Sequence, residues 1–240
     1  MQANFESSTL WSGSSITLLT NSDATETAIG NAITYVKNNA TSDDLFVFTF
    51  SGHGTNSVGN AALVTWDDSG GFAYLDDSDL ETLISGMPCP TAIYLDSCYS
   101  GGMIGKKLQK KINGDVLTGK VYTNAPGYDP NFKGGFLLGK KSVEALNNLV
   151  AISASSGTEL SWESSSLQHG VFTYYVMQGL GTGSTLGPAE VDSSGNISAE
   201  ETHCYAEDLV QTYSGYDQNP QMTDNYPTIL SNTTDLVVKQ

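Results

Sequence analysis

Leu45-Phe46-Val47-Phe48-Thr49-Phe50 runs without a break into Ser51-Gly52-His53-Gly54-Thr55. A continuous apolar run of this length suits a strand buried on both faces, as in a parallel sheet covered by helices. A second such run, Ala92-Ile93-Tyr94-Leu95, leads into Asp96-Ser97-Cys98-Tyr99-Ser100-Gly101-Gly102. Leu149-Val150-Ala151-Ile152-Ser153 reads as another strand, Ser15-Ile16-Thr17-Leu18-Leu19 as an earlier one and Leu236-Val237-Val238 as a last one.

Helical patterns separate the strands. Asp23-Ala-Thr-Glu26 has the form of a capping box, and Ile29, Ala32, Ile33 and Val36 follow at helical spacing. Ser78-Asp-Leu-Glu81 opens a second helix with Leu80, Leu83 and Ile84 on one face. Further helices are expected over Phe172–Leu180 and Ala199–Tyr213. The alternation predicts an α/β fold, a three-layer sandwich with a mostly parallel sheet flanked by helices. A single domain over residues 1–240 is expected. Residues 112–146, rich in Gly, Lys, Asn and Pro, read as a long functional or disordered loop.

The chain has 240 residues, 39% of them hydrophobic and 10% aromatic, which argues against wholesale disorder. No apolar run approaches the roughly 18 residues that cross a bilayer, and no signal peptide is expected at the N-terminus. The net charge of -16 repels nucleic acid and anionic membranes and favours cationic partners. There is no Arg, and eight of the ten lysines lie between Lys106 and Lys141. Abundant Ser, Thr, Asn and Gly with few charges is what a soluble secreted or cell-surface domain shows, and leaves location open. Three cysteines, Cys89, Cys98 and Cys204, make neither a disulfide framework nor a zinc site. Cys89 and Cys204 are expected as small core residues.

In open α/β sheets, ligands bind beyond the carboxyl ends of the strands. If the strands ending at Phe50 and Leu95 are parallel neighbours, His53 and Cys98 emerge on one edge. Alone, each reads as a turn histidine or a buried strand-end cysteine; together they make a nucleophile and its base. An imidazole beside a thiol activates it and can protonate the leaving amine. The backbone N–H groups of Gly54 and Cys98 would stabilise the oxyanion.

The segments FTFSGHGT (48–55 within that run) and IYLDSCYSGG (93–102) resemble the His and Cys motifs of the caspase-like cysteine peptidases: caspases, metacaspases, orthocaspases and legumains. DSCYSGG is closest to metacaspases and their prokaryotic relatives. Ala151–Glu163 and His169-Gly-Val-Phe-Thr173 are similar to the later strand, substrate loop and helix of that family, so the resemblance spans roughly residues 14–215. It implies a His53–Cys98 dyad and a pocket, lined by Asp96 and Ser51, for the substrate residue before the scissile bond. A carboxylate there would pair with Lys or Arg of a peptide or protein substrate; Asp96 also reads as a turn carboxylate accepting backbone hydrogen bonds. Cleavage after Asp would need pocket arginines, and the chain has none. Trp162 reads equally as a groove residue or a packed one.

Two departures from the family stand out. A central strand normally precedes the equivalent of Ser15–Leu19, and none is expected here. Phe5, with Glu6 beside it, stands near the place of an additional pocket Asp. The chemistry requires no cofactor, but Asp67, Asp76 and Asp77 match calcium-binding carboxylates of metacaspases, while Gly105 falls near a missing ligand. Glu190–Glu201 resembles an EF-hand loop, although Ser198–Glu201 is explained equally by a capping box. His169 and His203 are weaker candidates than His53 for the base. Lys106-Lys107, Lys110-Lys111 and Lys140-Lys141 are expected self-cleavage sites in the Lys-rich loop, about 106–146. The competing expectation is a catalytically weak or inactive binding module; a legumain-like peptidase cutting after Asn is a third.

Overall fold

The computed structural model describes residues 1–6, 8–11, 15–55, 61–67, 72–98, 109–112, 115–119, 146–156, 159–228 and 234–240, with backbone alone for 9, 72, 109–112 and 115–119. In chain order the elements are α1 (Gln2–Glu6), α2 (Glu26–Asn39), β1 (Phe46–Ser51), β2 (Gly54–Thr55), β3 (Ala62–Trp66), β4 (Phe72–Asp76), α3 (Asp77–Ile84) and β5 (Thr91–Asp96). There follow β6 (Gln109–Ile112), β7 (Asp115–Gly119), β8 (Leu149–Ser153), β9 (Trp162–Ser164), β10 (His169–Gly170) and α4 (Val171–Leu180). The chain closes with β11 (Ile197–Ser198), α5 (Ala199–Ser214), β12 (Gln221–Asn225) and β13 (Val237–Lys239).

The main sheet has the order β1-β5-β8-β12. β1, β5 and β8 are parallel, and β12 closes the sheet antiparallel to β8. Side chains alternate across the pleat, so each strand supplies both faces. Ala92 and Tyr94 of β5 join Val150 and Ile152 of β8 against Val171, Phe172 and Val176 of α4 and Ala206 and Val210 of α5. Ile93 and Leu95 join Leu149 and Ala151 against Ile29 and Ile33 of α2 and Leu80 and Ile84 of α3. These two cores are the two interfaces of the expected three-layer sandwich. Every residue of β5 and β8 is buried, as their apolar runs require. Tyr94 carries a hydroxyl into the core, where it pairs with Thr202 Oγ1 at 3.0 Å.

Several boundaries differ from expectation. Ser15–Leu19 is not a strand. Leu19 packs on the second core, but Ile16 and Leu18 are exposed, since a strand needs a neighbour and none among the described residues pairs with this run. α2 begins at Glu26, with Thr25 Oγ1 accepting from Ala28 N at 3.0 Å; Asp23 instead ends a 3-10 turn. α3 begins one residue early because Asp76 caps it, Oδ1 accepting from Asp79 N at 2.9 Å. The capping box at the start of α5 is complete, with Ser198 and Glu201 each bonded to the other's backbone N–H. The last strand, β13, pairs with β11 outside the main sheet.

Two small antiparallel sheets were not foreseen. One is β2-β3-β4, beside the end of β1. The other, β10-β9-β7-β6, draws two strands from the stretch expected to be loop. Among the described residues no helix is long and apolar enough to cross a membrane.

Candidate active site

β1 and β5 run in register from Phe46↔Thr91 to Ser51↔Asp96 without a slip. His53 and Cys98 are therefore each two residues past the same paired position, on strands about 4.8 Å apart. The register is held beyond the strands by Gly52 N, which donates to Asp96 O at 3.1 Å. His53 O accepts from Val64 N at 2.9 Å, fixing the histidine backbone against β3. The sequence thus delivers an exposed imidazole and a buried thiol to one end of the sheet.

Gly54 explains how close the two loops come. A Cβ built there would lie 1.8 Å from Cys98 O, 2.9 Å from its carbonyl carbon and 3.1 Å from its N. The two backbones whose N–H groups are the candidate oxyanion donors are in direct contact. Gly54→Ala should therefore push the His53 loop off Cys98. We expect a loss of about 1–3 kcal/mol from overpacking and, because a misplacement near 1 Å costs about 100-fold, at least that loss of turnover. Thermal melts and peptide hydrolysis would check both; unchanged activity would separate this contact from the chemistry.

Cys98 Sγ lies against Ser161, accepting from its N at 2.9 Å and approaching its O at 3.2 Å. The same serine turns its hydroxyl onto Asp96 Oδ1 at 2.5 Å. Asp96 is 1% exposed, and its Oδ2 accepts from Thr173 N at 3.1 Å and Thr173 Oγ1 at 2.5 Å. These donors are neutral, so they orient the carboxylate without cancelling its charge. Ser51 stands opposite Asp96 in the ladder. Behind Ser161, buried Gln218 accepts from Trp162 N at 3.1 Å and donates to Ala154 O at 2.9 Å. Glu159 ties the preceding turn to Ser156 N and Asn219 N. Ser161 and Thr173 lie within segments that the motif resemblance covers, but their contacts with Cys98 and Asp96 could not be read from spacing; Gln218 carried no signal.

The structure brings Ser51, His53, Gly54, Asp96 and Cys98 together and leaves other candidates apart. His169 is exposed in β10, opposite Ser164, about 10 Å along the strand from Ser161. Trp162 is buried in the α4–α5 core, as is Phe5, whose ring sits 5.4 Å from Trp11; Glu6 is exposed and bonds Gln2. Cys89 is buried, but Cys204 is exposed on α5 instead of in the core, and none of the three cysteines forms a disulfide. Burial pushes the Cys89 and Cys204 thiols up, so neither is an activated nucleophile.

His203 is buried in α5, and desolvation pushes its pKa down against the nearby Glu207. A depressed histidine stabilises the fold above its unfolded pKa, about 6.5, and that stability is lost as pH falls through the depressed value. We expect His203→Leu to flatten the acid limb of the melting profile below about pH 6.5; an unchanged acid limb would assign that loss to other groups.

Asp76 and Asp77 sit side by side, Asp76 capping α3 and Asp77 buried with its pKa pushed up to about 6, first by burial and then by Asp76. A repelling carboxylate pair is the kind a hard cation relieves. Among the described residues, however, no group of three or more His, Cys, Asp or Glu side chains is placed to hold a metal. In the EF-hand-like stretch, Glu190 Oε1 accepts from Gly195 N at 3.1 Å. Lys110 and Lys111 lie in β6, paired with β7; Lys106, Lys107, Lys140, Lys141 and Gly105 lie outside the described residues.

No curated protein matches the sequence. A solved structure of similar fold is protein GSU0716 from Geobacter sulfurreducens, at 15% identity and a TM-score of 0.56, covering 88% of this chain and 76% of that one. The peptidase C14 family model, described as the caspase domain, matches residues 7–229. With that match over nearly the whole chain, on a fold whose parallel strands carry His53 and Cys98 to one edge, the chain belongs to the caspase-domain family of cysteine peptidases.

Proposed function

We propose that the chain is an endopeptidase that hydrolyses peptide bonds after Lys or Arg, with Cys98 as nucleophile and His53 as its acid/base partner. The observation that carries this reading is the register Ser51↔Asp96, which supports a histidine and a cysteine meeting beside a buried carboxylate. In the reaction, Cys98 Sγ attacks the scissile carbonyl carbon and the developing oxyanion takes hydrogen bonds from the Gly54 and Cys98 N–H groups. His53 then protonates the leaving amine. Water hydrolyses the thioester and restores the thiol. Asp96, beside Ser51, would hold the ammonium or guanidinium of the residue before the cut. The absence of any Arg weighs against a pocket for Asp, and the net charge of -16 favours cationic segments of peptide or protein substrates. On this reading the enzyme is metacaspase-like and processes itself in its Lys-rich segment.

The dyad needs no metal. Calcium at Asp67, Asp76 and Asp77 is proposed only as a modulator, read out by turnover with calcium and with chelator. One observation favours a weak or inactive binding module instead: Cys98 is 0% exposed, with Ser161 against its sulfur. Fluorogenic peptides ending in Arg, Lys, Asn or Asp separate the readings. Arg and Lys peptides should be turned over; preference for Asp or Asn would remove the specificity, and no turnover at all would favour the binding module.

A further inference from the structure

Gln218 lies in the turn between α5 and β12 and is fully buried. Its side-chain amide serves one short segment of chain and anchors it to the end of β8. Oε1 accepts from Trp162 N at 3.1 Å, while Nε2 donates to Ala154 O at 2.9 Å and reaches Ser161 Oγ at 3.5 Å. The next residue holds the other end of that segment. Asn219 N and Asn219 Nδ2 both donate to the Glu159 carboxylate, at 3.0 and 2.5 Å. Residues 218 and 219 thus grip residues 159–162 at both ends.

What they grip lies on the nucleophile. A trans peptide points its N–H and C=O in opposite directions. With Trp162 N–H turned to Gln218, the Ser161 carbonyl is turned away from it and lies 3.2 Å from Cys98 Sγ. Ser161 N donates to the same sulfur at 2.9 Å. A donor and an acceptor together suit a neutral thiol, which both donates and accepts; a thiolate can only accept. A scissile carbon must also come within about 3–3.5 Å of the sulfur before attack, and Cys98 is fully buried. The Ser161 hydroxyl meanwhile lies on Asp96 Oδ1. One residue therefore covers both the nucleophile and the carboxylate beside it.

We propose that Gln218 and Asn219 are positioning residues that hold Ser161 as a plug over Cys98 and Asp96, and that substrate enters by displacing it. This rests on the peptidase reading above and gives the enzyme a closed resting state. The substrate's chemistry supplies the displacement. A Lys or Arg head group competes with the Ser161 hydroxyl for Asp96, and the substrate backbone fills the space that the Ser161 backbone leaves. The fraction of chains open at any moment sets how fast a small reagent reaches Cys98. Apparent substrate affinity is reduced by that same fraction.

Labelling with iodoacetamide, mapped by peptide mass, tests the plug on wild type, Gln218→Met and Asn219→Asp, with kcat and KM for an Arg peptide on the same samples. Methionine keeps the length of Gln218 without its donors or its carbonyl; aspartate at 219 sets a like charge against Glu159. Cys98 should label about 10- to 100-fold faster in Gln218→Met, which removes a buried acceptor from the closed state, and several-fold faster in Asn219→Asp. Cys89, buried elsewhere, and Cys204, exposed, are controls whose rates should not change. KM should fall, with kcat changed less. Cys98 labelling unchanged in both variants overturns the plug. So does Cys89 labelling that rises in step with Cys98, which would mean general loosening. A fall in kcat at unchanged KM would make Gln218 a support of the working site and also overturns it. In each of these cases a wild type that turns over the peptide leaves the peptidase reading standing. Faster Cys98 labelling with no turnover by any form supports the plug and overturns the peptidase reading. If Gln218→Met does not fold, Asn219→Asp, at a half-buried position, decides.

Discussion

Cys98→Ala should abolish peptide-bond hydrolysis, with a fall in turnover of at least about 10,000-fold. In the proposed mechanism alanine removes the atom that bonds to the scissile carbon, and neither Cys89, buried, nor Cys204, exposed on α5, is placed to replace it. The fold should survive, because alanine keeps the buried backbone and Cβ and removes a single sulfur atom. His53→Ala should lower turnover by about 100- to 10,000-fold, the usual worth of a positioned acid/base. That side chain is exposed, so its removal leaves the packing intact. Turnover of an Arg peptide with a melt on the same samples checks both variants. Activity kept by Cys98→Ala would remove this cysteine from the mechanism.

Asp96→Asn should lower kcat/KM for Arg and Lys peptides by about 30- to 1,000-fold, the cost of removing one partner from a buried charge pair, about 2–4 kcal/mol. The substitution suits the site sterically. The asparagine oxygen can still accept from Thr173 N, and its NH2 can face Ser161 Oγ, because a hydroxyl donates or accepts. What is lost is charge. A matched peptide ending in Gln should change little, so the preference for basic over neutral residues collapses rather than the activity as a whole. An equal loss on both peptides would make Asp96 a structural carboxylate serving Ser161 and Thr173.

The centre of the fold was legible because β5 and β8 are buried on both faces and have apolar runs to match; β1, read the same way, is instead the last strand of the described sheet on its side and only half-buried, with Thr49 and Ser51 exposed. The placement of His53 and Cys98 at one end of the sheet was legible for a related reason: each follows an apolar strand run by the same short step, and the two strands are parallel neighbours in register. Ser15–Leu19 misled because composition cannot say whether a neighbour exists to pair with, and two apolar side chains there are exposed. The starts of α2 and α3 shifted because several Asp, Ser and Thr residues compete for each cap, and Thr25 and Asp76 take them. β6 and β7 were hidden by their lysines and glycine, which read as loop until the pairing of β6 with β7 and of β7 with β9 is known. The hydrogen-bond network behind Cys98 joins Asp96, Ser161, Thr173 and Gln218, residues far apart in the chain whose meeting no local pattern encodes.

The dyad itself is tested most directly by labelling the purified wild type with a lysyl chloromethyl ketone and mapping the adduct by peptide mass. Cys204 is an internal control, since it is exposed but its thiol is pushed up. A His53–Cys98 dyad beside Asp96 predicts one adduct per chain, on Cys98, formed in step with loss of peptide turnover and absent from His53→Ala. Label found only on Cys204, or turnover persisting after Cys98 is fully modified, would contradict it.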